Sequence, residues 1–271
     1  MNLTKILTYV LFIVSVGLAY YLYDNINSTI EFKASIEETE QQIIDKLEII
    51  REAEKVYLEQ NRKYTSSWDT LINFIENGIV PITQRTETVI PLSYGKDSIH
   101  VQIDTIGKIS VKDKVFKKTF TVTAADNGTF MGFDTKIGTY VVKTAPAYRI
   151  KKTGKDQTEQ LKFMDRGTVN YIADVKPGDQ VKKGQLLISL WDYVLNPKVD
   201  IKTLGDIPGS NGKKFEIFTG KIDRNGVMVN VIEVVDPAPI NPERRASNEA
   251  KNRKPLGFGD RNDVSTVGNW E

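Results

Sequence analysis

Ile6-Leu-Thr-Tyr-Val-Leu-Phe-Ile-Val-Ser-Val-Gly-Leu-Ala-Tyr-Tyr-Leu-Tyr23 carries no charged side chain between Lys5 and Asp24. As a helix this run spans roughly 27 Å, close to the hydrocarbon thickness of a bilayer. Tyr20, Tyr21 and Tyr23 gather at its end, where amphipathic rings favour the headgroup boundary. Lys5 precedes the run and the next Lys is Lys33, so the bias of basic residues puts the amino terminus in the cytoplasm and the body outside. A cleaved signal peptide is the competing reading, with Ile6 to Val16 as its apolar core and Gly17-Leu18-Ala19 as small residues for a peptidase. Hydrophobicity that persists through Leu22, behind a barely basic start, favours an uncleaved anchor. The expected location is the inner (cytoplasmic) membrane, single-pass, with the C-terminal body in the periplasm or outside. The bilayer is met through residues 6–23.

The remainder has the composition of a globular protein: of 271 residues, 27% are charged and 40% hydrophobic. A net charge of +2 gives no field for nucleic acid. Cysteine is absent, which excludes disulfides, thiolate chemistry and Cys-ligated metals. The single histidine, His100, cannot build a multi-imidazole zinc site. It alternates with Ile99, Val101 and Ile103, which assigns it to the polar face of a strand. Phosphate-loop, dinucleotide and EF-hand signatures are missing. Asp104, Asp113 and Asp134 are carboxylates that a hydrolase without histidine would need paired in space. The sequence nominates no catalytic, cofactor-binding or metal residue, and the expectation is a protein that is not an enzyme.

Outward from the apolar run, Asp24 to Lys33 reads as a juxtamembrane link. Ile36, Ile43, Leu47, Ile50, Ala53 and Tyr57 then recur at helical spacing. Taken as a heptad, the companion seam is Glu40, Leu47 and Glu54. A stripe this narrow suits a partner helix or a sheet, so protein partners or self-association are expected through residues 35–64. Ser66-x-x-Asp69 resembles a capping box. A second short helix follows through Trp68, Leu71, Ile72 and Ile75, closed by Asn77-Gly78 as a left-handed cap and by Pro81.

From Thr86 the pattern turns to strands. The segments are Thr88 to Tyr94, Ser98 to Asp104, Lys108 to Lys112, Phe116 to Thr123, Thr139 to Thr144, Lys198 to Lys202, Lys214 to Thr219 and Val227 to Val235. Tyr94-Gly-Lys-Asp97, Asn127-Gly128, Pro208-Gly-Ser-Asn-Gly212 and Asn225-Gly226 supply turn residues. No long helical pattern separates them, so an antiparallel arrangement is expected, without an internal repeat. Asp236-Pro-Ala-Pro-Ile-Asn-Pro242 stops the sheet. A charged tail follows, with Arg244, Arg245, Lys251, Arg253 and Lys254, and Phe258 and Trp270 are its docking candidates. The fold class is therefore α+β: a transmembrane helix and helical stalk, then a mainly antiparallel β domain. The segments are 1–33 anchor and link, 34–80 stalk, 81–235 β-rich domain and 236–271 flexible tail.

Two stretches resemble known families. The long first helix, with Ala53-x-x-x-Tyr57, Tyr64 and Trp68-x-x-Leu71, resembles the pilin and pseudopilin layout and implies a filament subunit. Those families carry a Gly just before the apolar run and a Glu within it, and this chain has neither. Gly167-Thr-Val-Asn-Tyr-Ile-Ala-Asp-Val-Lys-Pro-Gly-Asp-Gln-Val-Lys-Lys-Gly-Gln-Leu-Leu187 turns at Gly178 and Gly184 and points Val181 and Leu187 inward. Residues 167–191 resemble one half of a lipoyl-type barrel-sandwich hybrid, as found in periplasmic adaptor (membrane-fusion) proteins of export pumps. They are also similar to the closing strands of zinc endopeptidases of the cell wall, whose histidines this chain lacks. As a whole the sequence resembles membrane-anchored envelope proteins of Bacteroidota-type bacteria. These resemblances imply a non-enzymatic structural or scaffolding component of an envelope assembly, or alternatively a periplasmic adaptor or a pilin-like subunit.

Overall fold

A computed structural model describes residues 3–91, 97–154, 156–245 and 254–271; the side chains of 1–10, 83–101, 103, 104, 106, 243 and 245 lie outside the described set. Among the described residues no helix is long and apolar enough to cross a membrane. That set leaves out the side chains of Ile6 to Val10 in the apolar run.

Helix α1 runs unbroken from Leu3 to Asn61, so the link expected at 24–33 is helical. No Gly or Pro interrupts it there, and Ser28 and Thr29 donate back to the Asn25 carbonyl while Asn27 bonds Glu31. The helix ends where Arg62 adopts φ 59° and its N–H reaches the Leu58 carbonyl. Along α1 burial begins at Ile36 and takes in Ile43, Leu47, Ile49, Ile50, Ala53, Glu54 and Val56. The covered face is thus broader than the stripe of sevens and fours. α2 spans Trp68–Asn77 and buries Leu71 and Ile75. Its end differs from the expected left-handed cap: Gly78 has no positive φ. Glycine is needed there because a Cβ would strike the Phe74 carbonyl and Val111.

The chain divides into two compact units: 1–51, 63–68 and 202–271 form one, and 52–62 and 69–201 the other. Both units draw on segments distant in sequence.

In the second unit β1 (Ile79–Pro91) and β2 (Asp97–Ser110) form a long antiparallel hairpin, from Ile79 opposite Ser110 to Pro91 opposite Asp97. The turn read at Tyr94 to Asp97 falls largely outside the described residues. α3 (Val111–Phe116) replaces the end of the strand read at Lys108 to Lys112. Ser110 caps it, accepting from the Asp113 N–H at 3.0 Å and donating to the Asp113 carboxylate at 2.9 Å.

Eight strands follow: β3 (Lys117–Thr123), β4 (Gly128–Phe133), β5 (Tyr140–Val141), β6 (Pro146–Lys152), β7 (Thr158–Lys162), β8 (Gly167–Ile172), β9 (Gln180–Val181) and β10 (Leu186–Tyr193). They build two four-stranded sheets, ordered β3-β10-β8-β5 and β7-β6-β4-β9. The orders superpose when β4 is matched to β8, β5 to β9, β6 to β10 and β7 to β3. The hydrogen bonds repeat as well. Phe130 and Val169 each exchange bonds across a turn, Phe130 with Asp179 and Gly178, Val169 with Thr139 and Gly138. Ala124 pairs with Gln185 and Gly184 as Phe163 pairs with Ala145 and Thr144. A bulge recurs after Phe130 in β4 and after Val169 in β8. The core consists of matched pairs: Ala124 and Phe163, Phe130 and Val169, Val141 and Val181, Ala147 and Leu187, Tyr148 and Ile188, Ile150 and Leu190. A two-fold internal repeat is therefore present where the sequence reading expected none. Its core residues are interchanged large for small, which hides it.

Asn127-Gly128 is not the positive-φ turn its composition suggested; Gly128 opens β4, where a Cβ would strike the Lys151 carbonyl. Lys198 to Lys202 is not a strand: a 3-10 turn at Ile201–Thr203 stands there.

In the first unit β11 (Glu216–Arg224) and β12 (Val227–Val235) form a hairpin closed by Asn225 and Gly226, at φ 53° and 83°. β13 (Gly257–Gly259) extends the sheet in the order β11-β12-β13. The described part of the expected flexible tail is structured. Leu256 and Phe258 are buried, and Arg51 lies 5.6 Å from the Trp270 ring and bonds Glu271.

Candidate functional site

β10 carries Trp191-Asp192-Tyr193 beyond Leu190, the last core residue of the strand. Strand alternation turns Leu190 inward and Ser189, Trp191 and Tyr193 outward. Register extends that outer face: Ser189 lies opposite Thr121 and Tyr171, Trp191 opposite Thr119 and Thr168, and Thr168 opposite Tyr140. Tyr140, Tyr171 and Tyr193 are 54%, 45% and 41% exposed. The Trp191 and Tyr193 rings meet edge to face at 5.4 Å. Lys117 Nζ braces both, 4.2 Å and 5.5 Å from their centroids. Lys117 also pairs with Asp113 at 2.7 Å. That bond holds the Asp113 carboxyl below its usual range, against the effect of burial and with help from Ser110.

Asp192 anchors one end of this face. Its largely buried carboxylate takes Arg166 Nε at 3.0 Å and the Tyr140 hydroxyl at 3.5 Å. Beside it a cleft of about 470 Å³ is lined by Phe120, Lys143, Asp165, Arg166, Asp192 and Tyr193 among others. A smaller groove of about 290 Å³ adjoins it through Phe120, walled by Val122, Tyr148, Leu161, Met164 and Leu190. Tyr148 is satisfied there, donating to the Thr123 carbonyl and accepting from the Ala125 N–H, and burial raises its pKa.

The carboxylates considered from sequence do not converge. Asp113 serves Ser110 and Lys117, whereas Asp134 takes Arg149 and Gln160; the Asp104 side chain lies outside the described residues. His100 sits opposite Thr88 in the long hairpin, and its side chain is likewise outside. Among the described residues no group of His, Asp and Glu could hold a metal ion. Of the basic tail, Arg244 pairs with Glu40 at 2.5 Å, while Arg245, Lys251 and Arg253 fall outside the described side chains. Sequence reasoning missed Tyr140, Arg166, Tyr171, Trp191, Asp192 and Tyr193. The available signal was Trp-Asp-Tyr directly after the apolar Leu186 to Leu190. No protein-family model matches the chain, and no curated protein matches it in sequence.

Proposed function

We propose that this chain is a non-enzymatic scaffolding component of a cell-envelope assembly. One helix through residues 6–23 anchors it in the inner membrane, and its body stands in the periplasm or outside. The observation that carries this reading is the exposure of α1. Phe12, Ile13 and Tyr21 are 68%, 69% and 68% exposed, and the described apolar side chains from Leu11 to Tyr23 share that state, whereas burial starts only at Ile36. Apolar surface left in water costs about 25 cal/mol per Å², so a continuous sleeve of it calls for a lipid surrounding.

Within that class the periplasmic adaptor (membrane-fusion-like) reading gains from the matched halves. The resemblance of residues 167–191 to half of a barrel-sandwich hybrid has a counterpart in 124–150, and adaptors pair two such halves. Self-association through residues 35–64 gains less, because Ile43, Leu47, Ile50 and Ala53 are already buried within the chain. Fractionation of native cells with carbonate extraction and intact mass tests the anchor. A full-length chain retained in membranes is the expected result. A chain beginning near Tyr20 and released to the soluble fraction would overturn it.

A further inference from the structure

The repeat in the second unit provides its own control. Whatever the fold requires on the outer face of one sheet it requires on the other, since strand order, bulges and turn hydrogen bonds coincide. Matched by position, Tyr140 corresponds to Gln180, Tyr171 to Gly132, Trp191 to Lys151 and Tyr193 to Thr153. Arg166 and Asp192 correspond to Asn127 and Lys152. The second face carries ion pairs and polar contacts with no ring at these positions: Arg149 pairs with Asp134, Lys151 with Asp156, Lys152 with Glu159, and Gln180 bonds Thr129. The fold is therefore built without rings at these positions, and the aromatic set on the first face answers to something other than folding.

We infer that the outer face of the β3-β10-β8-β5 sheet, together with the Arg166–Asp192 cleft, binds an extended glycan. The outward register positions Thr119, Thr121 and Thr168 bear accessible hydroxyls, Ser189 between them being buried, and Tyr140, Tyr171, Trp191 and Tyr193 bear rings. Aliphatic side chains stand only at the margin of this set, where Val142 follows β5 and Val194 joins the cleft lining. A mainly apolar partner would strand those hydroxyls without hydrogen bonds, at a cost of about 1–3 kcal/mol for each one buried. A saccharide presents ring faces rich in C–H to the aromatics and hydroxyls to the Thr, Arg and Asp side chains, so it satisfies both kinds of group. Trp191 on β10 and Tyr140 on β5 are two strand spacings apart, about 10 Å. That separation suits successive units of a polymer better than a single sugar. The cleft adds Lys143 and Asp165 to the Arg166–Asp192 pair, donors and acceptors that fix the orientation of one end.

The inference deepens the envelope reading by naming the partner as glycan, and it rests on that reading only for where the glycan is met. The test uses the full chain in nanodiscs, titrated calorimetrically with chitohexaose and sedimented with purified peptidoglycan sacculi. Variants take the residues that the other half already carries: Tyr140→Gln, Trp191→Lys and Arg166→Asn. The expected result is saturable binding by the parent chain and at least about tenfold weaker binding by each variant, with an unchanged thermal transition for Tyr140→Gln, whose side chain is exposed. Absence of binding by the parent to both probes overturns the inference, as does binding that Tyr140→Gln and Arg166→Asn leave intact. Capture of a protein that Tyr140→Gln abolishes, with no glycan bound, also overturns it and makes the face a protein interface. Because binding is read on purified protein, its failure is separate from a failure of the membrane anchor.

Discussion

Residues 124–150 and 163–190 follow one backbone plan with two different side-chain solutions. Where the first half places Ala124, Phe130 and Ala147, the second places Phe163, Val169 and Leu187. The plan is set by backbone demands: turns at Gly138 and Gly178, a second pair at Thr144 and Gly184, and bulges in β4 and β8. Volume is set only for the joint core, so bulk removed from one half is supplied by the other. Close packing constrains the sum of volumes rather than each residue.

The largest expected effect breaks that sharing. Phe163→Ala should cost about 3–5 kcal/mol, because the matched position already holds Ala124 and no neighbouring bulk compensates. Ala124→Phe should cost about 1–3 kcal/mol by overpacking the same core. Urea denaturation of both variants checks the pair, and a negligible cost for Phe163→Ala would mean that the halves do not share a core.

A smaller effect tests the turns. Thr144 adopts φ 70° and Gly184 φ 83° at matched positions, and a β-branched residue there is strained where glycine is not. Gly184→Thr should destabilise by about 1–2 kcal/mol, and Thr144→Gly should stabilise by up to about 1 kcal/mol. Opposite signs in denaturant melts would sharpen the match between halves; a loss in Thr144→Gly would contradict it.

The smallest effect lies outside the halves and serves as their control. Asp236 is buried, and desolvation raises its pKa, with Glu40 adding and the Ala238 N–H opposing. The folded state therefore holds its proton to higher pH than the unfolded chain, so stability falls as pH rises from the ordinary value of 3.8 through the raised one. Asp236→Asn keeps an acceptor for Ala238 and removes the titration. Its stability relative to the parent should increase from pH 4 to pH 7 in paired melts, and a pH-independent difference would contradict the assignment.

Legibility in the sequence followed how local each signal was. The helix through Ile43, Leu47 and Ile50, the Asn225-Gly226 turn and the turns at Gly178 and Gly184 all rest on short-range periodicity or on glycine, and each is read directly, although the strand between those two turns pairs with β4 in the other sheet and not in a local hairpin. Asp126-x-Gly-Thr129 followed by Lys136-x-Gly-x-x-Val-x-Lys143 does return as Asp165-x-Gly-Thr168 and Lys176-x-Gly-x-x-Val-x-Lys183. One added residue between the two parts, and core positions exchanged large for small, obscure that return. Thr144 in place of a glycine removes the last turn marker. The aromatic face was harder still. Tyr140, Tyr171 and Trp191 are scattered along the chain and become neighbours only through the register of β5, β8 and β10, which no local pattern specifies. The tail misled for a related reason: its charge reads as solvated, while Phe258 is held by pairing with β12 and the Leu256 carbonyl accepts from the Asp236 N–H.

Amide hydrogen exchange on the full chain tests most directly whether the two halves are one core. Matched amides donate to matched carbonyls: Phe130 and Val169, Gly138 and Gly178, Thr144 and Gly184. Both members of each pair should exchange through a single cooperative opening, with the same free energy and the same denaturant dependence. Exchange of the 124–150 amides at a markedly lower free energy than those of 163–190 would contradict it, and would leave the second half as an independent hairpin on which the first merely rests.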